Sequence, residues 1–473
     1  MVFSTVSFVF GFLPVVLILY KLAGRFAPRA KRVRWQNALL LAASLVFYAW
    51  GGVRYLALLV VLIAINWLCG LRMAAGRRPG MALAIGLVAD LGVLAVCKYF
   101  NFVVQNLEVL AKSLGAPQDF TFGLPVIPLP IGISFFTFQI MSYLIDLYRG
   151  KVQVQKSPAK LALYVMMFPQ LIAGPIVRYA DIEREIDERA TTPEEEDRGL
   201  RRFVMGFAKK VLLANTLAAF ADLTFARASQ LHPLWAWLGA VCYALHIYMD
   251  FSAYSDMAIG LGWIFGFHFN ENFNYPYIAC SVKEFWRRWH ISLSGWFRDY
   301  VYIPLGGSRC GAAKTYRNLL IVFFLTGLWH GAAWQFVFWG LFHGFFLVME
   351  RLGLGKLLEK LPRALQHAYT LLVVLVGWVF FRADNMAAGV QYLKSMLGLT
   401  DGALWDLSIL PDLTGELAVF GLAAVVISMP VFPAVRKRCK SETLANLLCL
   451  ALFFVSLCFM TGAGYNPFIY FRF

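Results

Sequence analysis

The stretch RYLALLVVLIAINWLCGL, residues 54–71, decides the class of fold. Arg54, at its edge, is its one charged residue, and a helix of this length approaches the thickness of a bilayer core. The whole chain agrees: 60% of its residues are hydrophobic and 15% are charged, against about 25% charged in soluble domains. Because a membrane-embedded backbone must satisfy its own hydrogen bonds, the sequence predicts an all-α, polytopic integral membrane protein surrounded by lipid.

Similar apolar runs follow along the whole chain, and some of them are short or interrupted. They lie at about 3–22, 37–49, 54–71, 81–97, 131–147, 159–177, 203–225, 233–265, 317–329, 331–350, 367–382, 414–432 and 444–461. We expect about 9–12 transmembrane helices together with re-entrant or interfacial helices. Residues 1–473 are interpreted as a single membrane domain, with apolar N-terminal spans in 1–100, a motif-bearing core at about 125–350 and C-terminal spans in 365–463.

Basic residues between the apolar runs predict the orientation. The loop after the first run contains Lys21, Arg25, Arg29, Lys31, Arg32 and Arg34, with no acidic residue among them. A second basic loop, with Arg72, Arg77 and Arg78, is separated from it by two runs. Basic loops favour the cytoplasm, so we expect the N-terminus outside. The net charge of +16 therefore serves topology, and no nucleic-acid partner is predicted.

Two histidines carry the chemical hypothesis. His330 lies in LTGLWHGAAWQFVFWG, residues 325–340, where an ionisable group is costly and marks a functional site by default. The alternative is a structural histidine bonded to a carbonyl across a helix interface. His290 lies in KEFWRRWHISLSGWFRDY, residues 283–300. This mixture of basic and aromatic residues fits an interfacial helix with snorkelling arginines equally well as a site for an anionic donor. The candidate donor-binding residues are Arg287, Arg288, Trp289 and Arg298.

Polar residues also interrupt the apolar runs at FPQLIAGPIVRY, residues 168–179, and at MDFSAYSDMAIGLG, residues 249–262. Glycine and proline at such places indicate broken helices that are buried in protein or line a cavity. The eight cysteines are scattered without a C-x-x-C pair, so no metal site and no disulfide framework is predicted.

These stretches, taken in order, resemble the membrane-bound O-acyltransferase (MBOAT) family. The resemblance is to the bacterial branch that contains alginate and peptidoglycan O-acetyltransferases and teichoic-acid D-alanyltransferases. Beyond the motifs already quoted, it is carried by MVFSTVSFVFGFLP (1–14), LLLAASLVFYAWGG (39–52), ENFNYPY (271–277), EFWRRWHISLSGWFRDYVYIPLGG (284–307) and LWHGAAWQFVFWGLFHG (328–344).

The resemblance implies a catalytic role for His330, the family's near-invariant histidine, and for His290, its second histidine. It also implies an hourglass-like fold with a central tunnel, which acetyl-CoA enters from the cytoplasm. The implied activity is O-acetylation of an extracytoplasmic polysaccharide, of which an alginate-like exopolysaccharide is favoured. The implied location is the bacterial cytoplasmic (inner) membrane. A separate extracytoplasmic acetyltransferase, either an SGNH-type enzyme or a small membrane protein, is the expected partner.

The chain ends in PFIYFRF, residues 467–473, which is similar to a short C-terminal motif of these acylation systems. The resemblance implies that Tyr470, in the tail 468–473, accepts the acyl group and presents it outside. The alternative is an aromatic anchor at the membrane interface.

Two other functions stay open. One is transfer of D-alanyl or another acyl group to a cell-wall polymer. The other is a polytopic transporter of a polymer or lipid-linked intermediate, which release of free CoA by the purified protein would exclude.

Overall fold

All the regular secondary structure in the described part of the chain is helical. The computed structural model describes residues 2–172, 174–400, 409, 412–438, 441–462 and 465–467, and these ranges contain helices and loops but no strand. The all-α prediction is confirmed. The chain divides into two compact units. The N-terminal unit comprises Ser7–Ala190 and Gly266–Phe269, and the C-terminal unit comprises Val2–Val6, Thr191–Phe265 and the chain from Asn270 onward.

The N-terminal unit contains nine α-helices within its described residues. They are α1 Leu13–Phe26, α2 Arg32–Ala49, α3 Val53–Ala74, α4 Pro79–Leu94, α5 Phe100–Ser113, α6 Ile133–Tyr148, α7 Pro158–Met166, α8 Phe168–Leu171 and α9 Tyr179–Asp187. A π-helical turn, Ala95–Tyr99, joins α4 to α5 in one continuous helix. An aromatic cluster fills part of this unit's core: Phe168 lies 5.2 Å from Phe12 and 5.7 Å from Phe47 between ring centroids.

The C-terminal unit contains the remaining described helices, α10 to α22. They are α10 Pro193–Ala208, α11 Asn215–Ala226, α12 Pro233–Phe265, α13 Val282–Arg288, α14 Ile291–Phe297, α15 Ala312–His330, α16 Trp334–Met349, α17 Gly355–Leu358, α18 Arg363–Arg382, α19 Met386–Met396, α20 Gly415–Ile427, α21 Val431–Arg438 and α22 Glu442–Gly462. The π-helical segment Lys209–Ala214 joins α10 to α11, so Pro193–Ala226 is one helix of 34 residues.

Local sequence explains where α10 begins. Thr192 accepts a hydrogen bond from the amide of Glu195, and the Glu195 carboxylate accepts one from the amide of Thr192. This capping box satisfies two helix-terminal donors, and Pro193 at the first helical position needs no partner. Small residues then bring α10 close to α12: a Cβ added at Gly199 would lie 2.6 Å from the carbonyl oxygen of Gly260. Such contacts are typical of helix packing in membranes.

Seven helices in the described part of the chain are long and apolar enough to cross a bilayer. They are Ser7–Phe26, Val53–Ala74, Pro79–Ser113, Pro193–Ala226, Trp334–Leu358, Arg363–Arg382 and Glu442–Gly462. Two shorter apolar helices, Ile133–Tyr148 and Gly415–Ile427, accompany them. The chain is therefore a multi-pass membrane protein, while the predicted number of 9–12 spans stays a prediction.

Candidate functional site

His330 is the last residue of α15, at the turn into α16. The two helices pack closely because Gly327 of α15 lies against the backbone of Phe336, and Gly340 of α16 lies against the backbone of Phe323. A Cβ at either glycine would collide with the facing carbonyl. The small residues around His330 therefore serve the approach of these two helices, which fixes the end of α15 and the imidazole with it.

Aromatic rings enclose the imidazole of His330. The side chain is 6% exposed, and its ring centroid lies 4.9 Å from Trp329, 5.0 Å from Trp339 and 5.1 Å from Phe381. All three rings stand nearly perpendicular to it. Bulky rings on several sides restrict rotation of the histidine and exclude bulk water, so a reaction at this ring takes place in a fixed, water-poor environment.

His290 has a left-handed backbone conformation, with φ at 44°, immediately before α14. A non-glycine residue there is uncommon and strained, and it persists only when its surroundings hold it in place. Those surroundings include a nearly perpendicular contact with Phe251 of α12, at 4.6 Å between ring centroids. The side chain is 1% exposed. Such strain is frequently found at functional sites.

Asn272 determines the tautomer of His290. The backbone amide of Ser292, which can only donate, approaches one side-chain atom of Asn272 at 3.3 Å, so that atom is the carbonyl oxygen Oδ1. The same Oδ1 lies 3.1 Å from Nδ1 of His290. Nδ1 therefore donates its proton to Asn272, and Nε2 of the neutral imidazole carries the lone pair. That Nε2 is buried and makes no hydrogen bond within the described residues.

The structure brings the two predicted histidines beside one tryptophan. Trp329 lies 5.9 Å from His290 and 4.9 Å from His330 between ring centroids. Both histidines and Trp329 belong to the C-terminal unit. Two buried imidazoles that share one aromatic wall form a candidate active site, since a neutral imidazole can accept a proton from an attacking hydroxyl group.

The predicted donor-binding arginines differ in their surroundings. Arg288 forms an ion pair with Glu284, at 2.8 Å, and Arg298 forms one with Asp299, at 2.7 Å. Although burial raises it, hydrogen bonds from the Cys280 amide and from Arg288 hold the pKa of Glu284 below its usual range. Glu284 therefore offsets the charge of Arg288 at neutral pH. Of the two arginines of α13, Arg287 is exposed and is the more accessible cation.

Trp289 is placed differently from the arginines. It is 2% exposed and packs in the core against Phe273, Phe285 and Trp378, at centroid distances of 5.1, 5.6 and 4.8 Å. This packing explains a tryptophan at this position without a ligand. A contact between Trp289 and the donor stays a prediction.

Two further residues of the site were not selected from the sequence. Asn272 belongs to the ENFNYPY stretch, which was quoted only for its resemblance. His343, in α16, is fully buried against Trp339, at 5.2 Å between ring centroids, on the same tryptophan that packs on His330. The i, i+4 spacing of Trp339 and His343 is visible in the sequence and could have indicated their contact.

Tyr470, the predicted acyl acceptor, lies outside the described residues. Within the ranges that are described, no group of three or more His, Cys, Asp and Glu side chains could hold a metal ion.

Comparisons with known proteins assign the chain to a family. Residues 149–355 match the model of the membrane-bound O-acyltransferase family. The chain is 40% identical to the probable alginate O-acetylase AlgI of Azotobacter vinelandii and 42% identical to that of Pseudomonas putida, in both cases over 100% of both chains. It is 36% identical to the peptidoglycan O-acetyltransferase of Helicobacter pylori, over 86% of this chain and 82% of that one. The chain therefore belongs to the membrane-bound O-acyltransferase family and is an acyltransferase.

Proposed function

We propose that the chain acetylates the hydroxyl groups of an extracytoplasmic, alginate-like polysaccharide, with acetyl-CoA as the donor. Its likeness over its whole length to two alginate O-acetylases carries this proposal. Another relative, the peptidoglycan O-acetyltransferase, also transfers acetyl groups, in its case to peptidoglycan. Acetyl transfer is therefore favoured over D-alanyl transfer.

The reaction moves an acetyl group from sulfur to oxygen. His330 takes the proton of the attacking hydroxyl, the oxygen bonds to the thioester carbonyl carbon, and the carbon–sulfur bond then breaks. The leaving thiolate takes up a proton, so that an ester and free CoA thiol are the products. Asn272 holds His290 so that its Nε2 lone pair is available. His290 acts as a second proton acceptor for the attacking hydroxyl or orients the donor. General-base help of this kind contributes roughly 10²–10⁴-fold.

The acceptor of this first transfer is Tyr470. A phenol has a reference pKa of about 10 and gives up its proton more readily than a sugar hydroxyl. The acetyl ester on Tyr470 then passes to a hydroxyl of the polysaccharide, and the tyrosine is regenerated. A separate extracytoplasmic partner, either an SGNH-type acetyltransferase or a small membrane protein, catalyses this second exchange.

The proposed orientation in the membrane explains why the acetyl group must cross the bilayer. The chain lies in the bacterial cytoplasmic membrane with its N-terminus outside and the basic loop at 21–34 inside. CoA is highly charged, so its passage across the bilayer would have a high free-energy cost. Only the small acetyl group needs to pass, through the central tunnel that the family resemblance implies. Exposed Arg287 attracts the CoA phosphates electrostatically.

Purified protein in detergent tests the proposal. Acetyl-CoA carrying a labelled acetyl group is added, and free CoA thiol and label on the protein are measured together. We expect thiol release with label on Tyr470, and label transfer to an alginate oligosaccharide once the partner is added. A transporter would release no thiol. A D-alanyltransferase would leave acetyl-CoA intact and would contradict the choice of donor.

A further inference from the structure

The described end of the chain is held against the long helix Pro193–Ala226 by a series of polar contacts. Residues Tyr465–Pro467, which we call the docking segment, provide one contact each. The Tyr465 hydroxyl donates to Asp222, the Asn466 side chain meets Asn215 at 3.4 Å, and the Pro467 carbonyl accepts from Lys210. The contacts run in order from Asp222 back to Lys210 as the segment advances. Asp222 lies 12 positions after Lys210, which corresponds to about 18 Å along the helix axis.

The first contact rests on a carboxylate that is already oriented. Arg382 of α18 donates through Nε to Asp222 at 3.1 Å and through a second nitrogen to the same oxygen. The Tyr465 hydroxyl binds the other oxygen of Asp222. Since both arginine nitrogens bind one oxygen of Asp222, the other oxygen is left as the acceptor of the Tyr465 hydroxyl.

Asn466, which makes the second contact with the long helix, also binds Ser4, near the N-terminal end of the chain. Asn466 accepts from the Ser4 hydroxyl at 3.1 Å and donates to the Ser4 carbonyl at 2.9 Å. Ser4 is 1% exposed and belongs to the same unit as the docking segment. Because the Asn466 side chain both accepts from Ser4 and donates to it, two hydrogen bonds fix the orientation of the Asn466 amide.

The third contact ends at a buried ion pair. Lys210 and Asp250 are both fully buried, 2.7 Å apart, and the Lys210 ammonium also donates to the Pro467 carbonyl. His246, one turn before Asp250 on α12, binds the carbonyl of Ala214 at 2.9 Å. Charges inside a membrane span are costly and usually mark function. Here one of them contacts the backbone that leads directly into the C-terminal tail.

This third contact is next to the candidate active site. Asp250 is followed on α12 by Phe251, whose ring packs on His290. Ser255, one turn further, accepts from the Asn272 side chain that orients His290. Pro467 is therefore linked to the His290 environment through Lys210 and a single stretch of α12. Three residues of chain, the interval from Pro467 to Tyr470, reach at most about 10 Å.

We infer that the docking segment fixes the position of Pro467, the residue after which the C-terminal tail begins, and that Lys210, Asn215 and Asp222 are positioning residues for the acyl acceptor. This inference rests on the proposed role of Tyr470. Along the helix Pro193–Ala226, the segment runs from near the C-terminal end, at Asp222, toward the middle, at Lys210.

A reversible cross-link tests the inference. The double variant Ser4→Cys/Asn466→Cys replaces the hydrogen-bonded pair by two thiols that oxidation can join. Ser4→Cys/Thr461→Cys is the matched control, since Thr461 bonds within its own helix. We expect mild oxidation to cross-link the first pair and not the second. Absence of the cross-link between positions 4 and 466, or equal cross-linking of both pairs, would overturn docking.

Labelling by acetyl-CoA then tests the consequence. In the reduced double variant the three hydrogen bonds of Asn466 are lost, so label on Tyr470 should fall at least about fivefold. Oxidation should restore the label to near the wild-type amount. Equal labelling in both redox states would refute positioning. Wild-type protein without label on Tyr470 would refute the carrier role, and with it positioning, while the cross-link would still report docking.

Discussion

The side-chain carbonyl of Asn272 accepts the Nδ1 proton of His290, at 3.1 Å, and thereby leaves Nε2 of that imidazole as its lone-pair nitrogen. The arrangement is fixed from both sides. Asn272 Oδ1 also accepts from Ser292, at 2.9 Å from its hydroxyl, and the Asn272 amide nitrogen donates to Ser255 at 3.0 Å. Because the Ser292 amide can only donate, Asn272 Oδ1 is fixed as the acceptor, and these contacts hold His290 without a bound substrate.

Asn272→Ala should slow acetyl transfer while leaving the affinity for the donor unchanged. The substitution removes the acceptor of the His290 Nδ1 proton and leaves buried donors without a partner, at about 1–3 kcal/mol, which corresponds to roughly 5–160-fold in kcat. Steady-state measurement of CoA release gives kcat and KM separately.

The matched control is Asn274→Ala, two residues away, where the asparagine is exposed. It should behave as wild type. If Asn272→Ala folds normally and keeps full kcat, His290 does not need this partner and its tautomer is irrelevant to the reaction.

Some features of this site could be predicted from the sequence, and others could not. The sequence indicated that His330 is a functional residue, because it is an ionisable residue within an apolar run. The ion pair of Glu284 and Arg288 was also predictable, since a spacing of four residues places both on one helix face. The contact of Asn272 with His290 was not, because it depends on the left-handed backbone at His290, which no local pattern indicates. Lys210 and Asp250 are 40 positions apart in sequence on two different helices, and only tertiary packing pairs them.

Breaking the buried ion pair should destabilise the protein strongly. Asp250→Asn leaves the fully buried Lys210 without its counter-charge, and removal of one partner of such a pair costs about 3–5 kcal/mol. The double variant Lys210→Met/Asp250→Leu removes both charges and should recover most of this loss. Thermal unfolding in detergent measures both. A single variant as stable as wild type would show that the pair is not buried as described.

Charge reversal at Arg287 should weaken use of the donor. Arg287 is exposed, and Arg287→Glu replaces an accessible cation by an anion that repels the phosphates of CoA. We expect a higher KM for acetyl-CoA, an unchanged kcat and an effect that diminishes with added salt.

The comparison variant is Arg298→Glu, in which the lost cation is one already paired with Asp299. A smaller rise in KM is expected there. An unchanged KM in Arg287→Glu would leave membrane-interface snorkelling as the explanation for this arginine.

The basic loop at 21–34 should face the cytoplasm. A cysteine introduced at Arg29, which is exposed in the structure, should react with a membrane-impermeant thiol reagent only after the membrane is opened. A cysteine in the loop between α5 and α6, for example at Asp119, should react in intact cells. The reverse pattern would place the N-terminus inside and move the proposed donor side to the outer face.

The central claim is that His330 is a catalytic base, and its replacement by alanine tests this most directly. His330→Ala and the control His232→Ala, a histidine of the same unit that bonds the amide of Leu234 at the start of α12, are purified and checked for monodispersity. Release of CoA from labelled acetyl-CoA is then measured beside label on Tyr470. We expect both to fall by about 10²–10⁴-fold in His330→Ala and to stay near wild type in His232→Ala. Well-folded His330→Ala protein with near-normal turnover would contradict the mechanism and transfer the role of base to His290.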